Sequence, residues 1–184
     1  MKIILASGSP RRREILSNMG FQVEVVKSAE EKPSNEKLSP EDTVQFLAVE
    51  KGSEAKEKYP DEVVVSADTV VVVDGEILGK PRDRDDAKRM LTLLSGRTHR
   101  VLSGYAVFYK GKSLSRVVST EVEFYKLTDK EIEWYLDSNE PYDKAGAYGI
   151  QGLGAYLVRK IEGDYLNVVG FPLSDFCHTL KRII

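Results

Sequence analysis

Lys2-Ile-Ile-Leu-Ala6-Ser7-Gly8-Ser9-Pro10-Arg11-Arg12-Arg13-Glu-Ile15-Leu16-Ser-Asn-Met19-Gly20 decides the fold class, because its periodicity changes partway along. Residues 2–6 form an apolar run too short for a signal-peptide core and read as a first strand. Ser9 then stands as an N-cap, with Pro10 at the first helical position, where its fixed φ is already helical. Ile15, Leu16 and Met19 supply an apolar stripe, and Gly20 closes the helix. Residues 21–27 alternate as a second strand.

Outward from this unit, residues 28–38 are a polar loop carrying Glu30-Glu31. Ser39-Pro40-Glu41-Asp42 starts a second helix that runs to about Tyr59, with a cap, a leading proline and acids in its first turn. Residues 63–67 are a β-rich run expected to break at Asp68 and to resume over 69–73, and Asp74-Gly75 is a hairpin signal into residues 76–78. Residues 84–94 are an amphipathic helix with Ala87, Met90, Leu91 and Leu94 inward. Two long strands, 99–109 and 113–124, meet around Lys110-Gly111. Thr128-Asp129-Lys130-Glu131 is a capping box stapled by Leu127 and Ile132, and the helix it opens ends near Asp137. A Gly-rich loop (139–154), a strand (155–162) and a terminal helix (172–183) complete the chain. Strands that alternate with helices, beside strands that follow one another, predict an α/β fold with a mixed sheet.

With 41% hydrophobic and 30% charged residues among 184, the composition suits one globular domain, or two small lobes sharing a core. No apolar run approaches the ~20 residues of a membrane-spanning helix. Cys177 is the single cysteine, which excludes an internal disulfide or a multi-cysteine zinc site and suits a reducing cytoplasm. His99 and His178 are the only histidines, so a metal here must be a hard ion held by carboxylates, Mg²⁺ or Mn²⁺. A net charge of −2 argues against bulk nucleic-acid binding.

Five features break local rules. Arg11, Arg12 and Arg13 crowd a helix N-terminus, where positive charge is unfavourable unless an anion is bound; with Ser7, Gly8 and Ser9 they compose a phosphate receptor. Lys51 shares a helix face with Val44, Leu47, Ala48 and Ala55, which aims an ammonium where apolar residues point. Asp68 interrupts a run of valines and must be paired, metal-bound or exposed; with Glu30-Glu31 it offers hard oxygen donors. Lys80, in Gly75-Glu-Ile-Leu-Gly79-Lys80-Pro81, follows a glycine but lacks Walker A spacing. Gln151 sits in a glycine-dense loop and can donate and accept on one planar amide. Each has a structural alternative: a solvated arginine run, a snorkelling lysine, a strand-end cap, a hairpin turn, a surface loop.

In this order the features resemble the Maf family of nucleoside-triphosphate pyrophosphatases, once described as septum-formation inhibitors. The matching blocks are Leu5-Ala-Ser-Gly-Ser-Pro-Arg-Arg12, Ala67-Asp-Thr-Val70, Gly75 to Pro81, Leu94-Ser-Gly96 with His99, Asp143 to Gly152, and Asn167-Val-Val-Gly-Phe-Pro172. Phe171 and Ser66 depart from the family's usual Leu and Gly. The resemblance implies a twisted mixed sheet flanked by helices, two lobes with a central cleft, one functional domain over residues 1–184, and a compatible homodimer. It implies hydrolysis of a nucleoside triphosphate to the monophosphate and pyrophosphate. Asp68 would be the proton acceptor, Lys51 and Lys80 catalytic cations, and Ser7, Arg11, Arg12, Thr69 and Gln151 the substrate contacts. Glu31 and Asp68 would hold the divalent metal. Arg11, Thr69 and Gln151 place the chain with the dTTP- and UTP-cleaving branch, whereas the methyl-GTP branch carries Trp, Gln and Glu there. A methyl-GTP pyrophosphatase and a regulatory binding protein of cell division are the alternatives; no nucleic acid or membrane partner is expected.

Overall fold

The computed structural model describes residues 1–30 and 38–184. Strand β1 (Lys2–Ala6) leads through Ser7–Ser9 into helix α1 (Pro10–Asn18) and returns as β2 (Gln22–Val26), parallel to β1 with Ile3 opposite Val23. Helix α2 (Pro40–Lys58) is capped by the Ser39 hydroxyl, which accepts from the Asp42 N–H at 3.1 Å. It delivers the chain to β3 (Val63–Val73), whose first half lies parallel to the other edge of β1 with Ile3 opposite Val63. Paired on both edges, β1 is apolar from Ile3 to Ala6 and buried throughout, as a strand inside a parallel sheet must be.

The expected break at Asp68 does not occur: β3 is one continuous strand of 11 residues. Its pairing changes instead. Parallel contact with β1 ends at Ser66, and antiparallel contact with β4 (Glu76–Leu78) begins at Val71. Asp68 and Thr69 lie between the stretches paired with β1 and with β4. The β3–β4 turn is at Asp74-Gly75 (φ 51° and 78°), and a second turn of the same kind at Lys110-Gly111 (φ 47° and 77°) joins β5 (Thr98–Tyr109) to β6 (Lys112–Phe124). Two consecutive left-handed residues are what a tight hairpin requires.

Helix α3 (Arg84–Leu94) buries Ala87, Met90, Leu91 and Leu94, the face its sequence predicts. Helix α4 (Asp129–Leu136) has the full capping box, Thr128 with Glu131. The Gly-rich segment is not a bare loop: it winds through 3₁₀ turns at Glu140–Asp143, Ala145–Ala147 and Gly152–Leu157. Consequently β7 begins at Val158 (Val158–Glu162), three residues later than expected, and a short helix α5 (Tyr165–Val169) precedes α6 (Leu173–Ile183). The sheet runs β2-β1-β3-β5-β6-β7, with β4 against β3: seven strands among the described residues, mixed, flanked by helices.

The chain divides into two compact units. The first comprises Met1–Thr69, Ser103–Val118 and Gly170–Ile184; its core joins Ile4, Ala6, Val64, Ala55, Ala106 and Phe108. The second comprises Val70–Leu102 and Ser119–Val169, with a core centred on Val71, Leu78, Leu91, Leu94, Phe124 and Tyr135. Among the described residues no helix is long and apolar enough to cross a membrane.

Candidate functional site

In the first unit, α2 and β3 bring together the two residues whose positions broke the apolar pattern. Lys51 Nζ donates to Asp68 Oδ1, and each side chain is 15% exposed. The close approach follows from glycine. A Cβ on Gly52 would stand 2.4 Å from Phe108 Cε2 and 2.6 Å from Ser66 Oγ, so only glycine lets this turn of α2 settle on the sheet. Ser66 fixes the same contact by donating to the Ala48 carbonyl at 2.6 Å. Half-buried, the two opposite charges satisfy one another, which is the condition for keeping a carboxylate beside a valine-rich strand.

Beside this pair lies a network centred on Arg12. Its Nε donates to the Gly170 carbonyl at 3.0 Å, Nη1 to Ser7 Oγ at 3.1 Å and the Ala67 carbonyl at 2.8 Å, and Nη2 to Thr69 Oγ1 at 3.1 Å. Thr69 Oγ1 also shares a 2.8 Å hydrogen bond with Ser103 Oγ. Arg12 thus holds the residues on both sides of Asp68. Burial pulls the guanidinium down from its ordinary value to about 10, with the charge of Asp68 opposing the fall and Arg11 adding to it; Arg12 stays cationic at neutral pH. Four of the five N–H groups of a guanidinium are therefore engaged within the chain, a role that sequence pattern alone did not separate from phosphate binding. Arg11 is half-buried and Arg13 exposed on the same first turn. That turn contains no acid, and Ser9 caps it through backbone conformation alone, with no side-chain hydrogen bond.

Gly170 and Ser103 are the contributors sequence reading missed. Neither carries a chemical signature. Gly170 stands inside the Asn167–Pro172 block, and its φ of 133° marks a backbone position suited to glycine.

Lys80 and Gln151 belong to the second unit, and both are exposed. The two segments that carry them are tied together there: the Gly146 N–H donates to the Gly79 carbonyl at 3.0 Å. Gly146 has φ 68°, and a Cβ on it would stand 2.8 Å from Val71 Cγ2, so the contact demands glycine twice over. Glu31, expected as a metal ligand, lies outside the described residues. Among the described residues no three His, Cys, Asp or Glu side chains cluster as a metal site. Asp68 remains the described carboxylate for a hard cation, and one carboxylate fits Mg²⁺ when phosphate and water oxygens supply the remaining ligands.

The family model described as Maf-like protein matches residues 2–183. A dTTP/UTP pyrophosphatase of Halalkalibacterium halodurans is 49% identical over 179 residues, 97% of this chain and 94% of that one. A dTTP/UTP pyrophosphatase of Bacillus cereus is 48% identical over 181 residues, 98% and 95% of the two chains. Among solved structures, the Ham1 protein of Staphylococcus aureus matches with a TM-score of 0.51 at 14% identity, covering 86% of this chain and 80% of that one. At such identity the likeness concerns the fold alone.

Proposed function

The chain belongs to the Maf-like protein family, and on that premise we propose that it hydrolyses dTTP and UTP to the monophosphate and pyrophosphate. The observation that carries this reading is the Lys51–Asp68 ion pair, made by residues from different elements and bordered by the Arg12 network. A carboxylate in contact with an ammonium and near guanidinium groups suits a reaction in which a water must lose a proton beside a polyanion.

Asp68 is assigned as general base toward the water that attacks the α-phosphorus. Lys51 orients that carboxylate and supplies positive charge. Arg11, Ser7 and the acid-free first turn of α1 are assigned to the phosphates, with Lys80 as a further cation. Arg12 keeps Ser7, Ala67 and Thr69 in register around Asp68. A divalent cation, held by Asp68 with Glu31 as the second carboxylate, would neutralise charge on the triphosphate when bound. Gln151 is assigned to the base: its amide can accept from N3–H and donate to O4 of uracil or thymine, whereas cytosine inverts that pattern at a cost of ~1–3 kcal/mol. The cytoplasm is the compartment this reading assigns.

Product analysis on UTP, dTTP, CTP and 7-methyl-GTP with Mg²⁺ or Mn²⁺ tests the reading. Pyrophosphate and monophosphate from UTP and dTTP, at kcat/KM about tenfold or more above CTP, are expected. A preference for 7-methyl-GTP, or release of orthophosphate in place of pyrophosphate, contradicts it.

A further inference from the structure

Gln151 is exposed on a segment rich in glycine, and an unrestrained amide there would sample many orientations and discriminate poorly between bases. The segment is restrained at both ends. Upstream, the Gly149 N–H donates to the Tyr135 hydroxyl at 3.1 Å. Downstream, Glu140 receives two backbone donors, the Leu153 N–H on Oε1 at 2.9 Å and the Gly154 N–H on Oε2 at 3.1 Å. The backbone of Glu140 is held in turn, because Lys144 Nζ donates to its carbonyl at 2.6 Å.

Glycine placement follows this clamp. Gly152, immediately after Gln151, has φ 63°, and a Cβ on it would lie 2.4 Å from Glu140 Oε1. A Cβ on Gly154 would lie 1.9 Å from the Gly149 carbonyl oxygen and 2.8 Å from the Tyr135 hydroxyl. The chain therefore crosses close over itself on either side of Gln151. Tyr135 is fully buried. Burial pushes its phenol well up; the Gly149 N–H pulls it back, and the charge of Glu140 adds to the rise, so the hydroxyl stays protonated at any working pH.

We infer that Glu140 and Tyr135 are specificity-positioning residues: by clamping the backbone on both sides of Gln151 they fix the amide that selects uracil and thymine over cytosine. The inference rests on the base-reading role assigned to Gln151 above. Neither residue touches the nucleotide. Both act by removing conformational freedom that binding would otherwise have to remove.

Glu140→Gln isolates the effect, since glutamine has the same shape but one acceptor oxygen. Its NH₂ must face a backbone N–H, donor against donor, and one end of the clamp opens. Tyr135→Phe opens the other end by removing only the hydroxyl, and it carries the test if Glu140→Gln folds poorly by thermal melting. For each variant, kcat/KM on UTP and CTP is measured alone and in a Gln151→Ala background. Either single variant should lower the UTP-to-CTP ratio about five- to tenfold, with faster amide exchange across residues 149–154. In the Gln151→Ala background neither should lower it further. A ratio held within about twofold by both clamp variants, while Gln151→Ala collapses it, overturns the inference alone; so does an undiminished effect once Gln151 is gone. A ratio unchanged by Gln151→Ala itself overturns the base-reading role, and the inference with it.

Discussion

Arg12 shows how much chemistry turns on the direction in which one side chain leaves a helix. Arg11 and Arg12 are adjacent and compositionally identical, and pattern reading assigned both to phosphate. What separates them is tertiary: the acceptors of Arg12 come from carbonyls 55 and 158 residues away, which no local periodicity encodes. A lysine at this position has three donors on one point and cannot span two carbonyls and two hydroxyls. Arg12→Lys is expected to cost about 2–3 kcal/mol, the penalty for leaving partly buried acceptors unpaired. Urea unfolding against Arg13→Lys, a change at an exposed neighbour, measures it; equal midpoints would remove Arg12 from its bracing role.

Among the elements, α2 and β3 together set the Lys51–Asp68 pair. The helix was legible through its Ser39 cap, its leading proline and its face of Val44, Ala48 and Ala55, and so was the inward direction of Lys51. The continuity of β3 was not, because local propensity penalises an aspartate in a strand while the exchange of partners from β1 to β4 is a property of the assembled sheet. The 3₁₀ turns of the Gly-rich segment escaped for a similar reason: side-chain contacts such as Glu140 to Leu153 and Gly154 impose them. Gly52→Ala probes the element scale. Its methyl would overlap Phe108 and Ser66, so α2 must lift from the sheet, at a cost of about 1–3 kcal/mol. Because Lys51 is the adjacent residue, UTP hydrolysis should fall as well. Glu54→Ala, exposed on the same helix, should change neither; matching behaviour of the two variants would dissociate this packing from activity.

For the molecule as a whole, the α/β class and the mixed sheet were legible from strand and helix periods, while the division into two compact units was open between one domain and two lobes. The second unit carries a built-in pH response. His99 is 2% exposed, shares a 2.7 Å hydrogen bond with the Tyr148 hydroxyl, and meets Phe124 edge-on at 5.0 Å. Burial lowers it from 6.5 to about 4. A folded value below the unfolded one means full stability above pH 6.5. As the pH falls from 6.5 toward 4, the unfolded chain takes up a proton that the native state refuses, which costs up to about 3 kcal/mol. Unfolding midpoints at pH 7 and pH 4.5 should show this loss, and His99→Gln should flatten the slope; an unaltered slope would place the acid sensitivity elsewhere.

Whether the carboxylate facing Lys51 performs the chemistry is decided by Asp68→Asn, because the substitution keeps the shape and removes the base. With UTP and Mg²⁺, pyrophosphate release should drop by about 10²-fold or more while the thermal melting temperature stays close to that of the unmodified chain. Near-normal release from a folded Asp68→Asn protein would show that Asp68 is not the base.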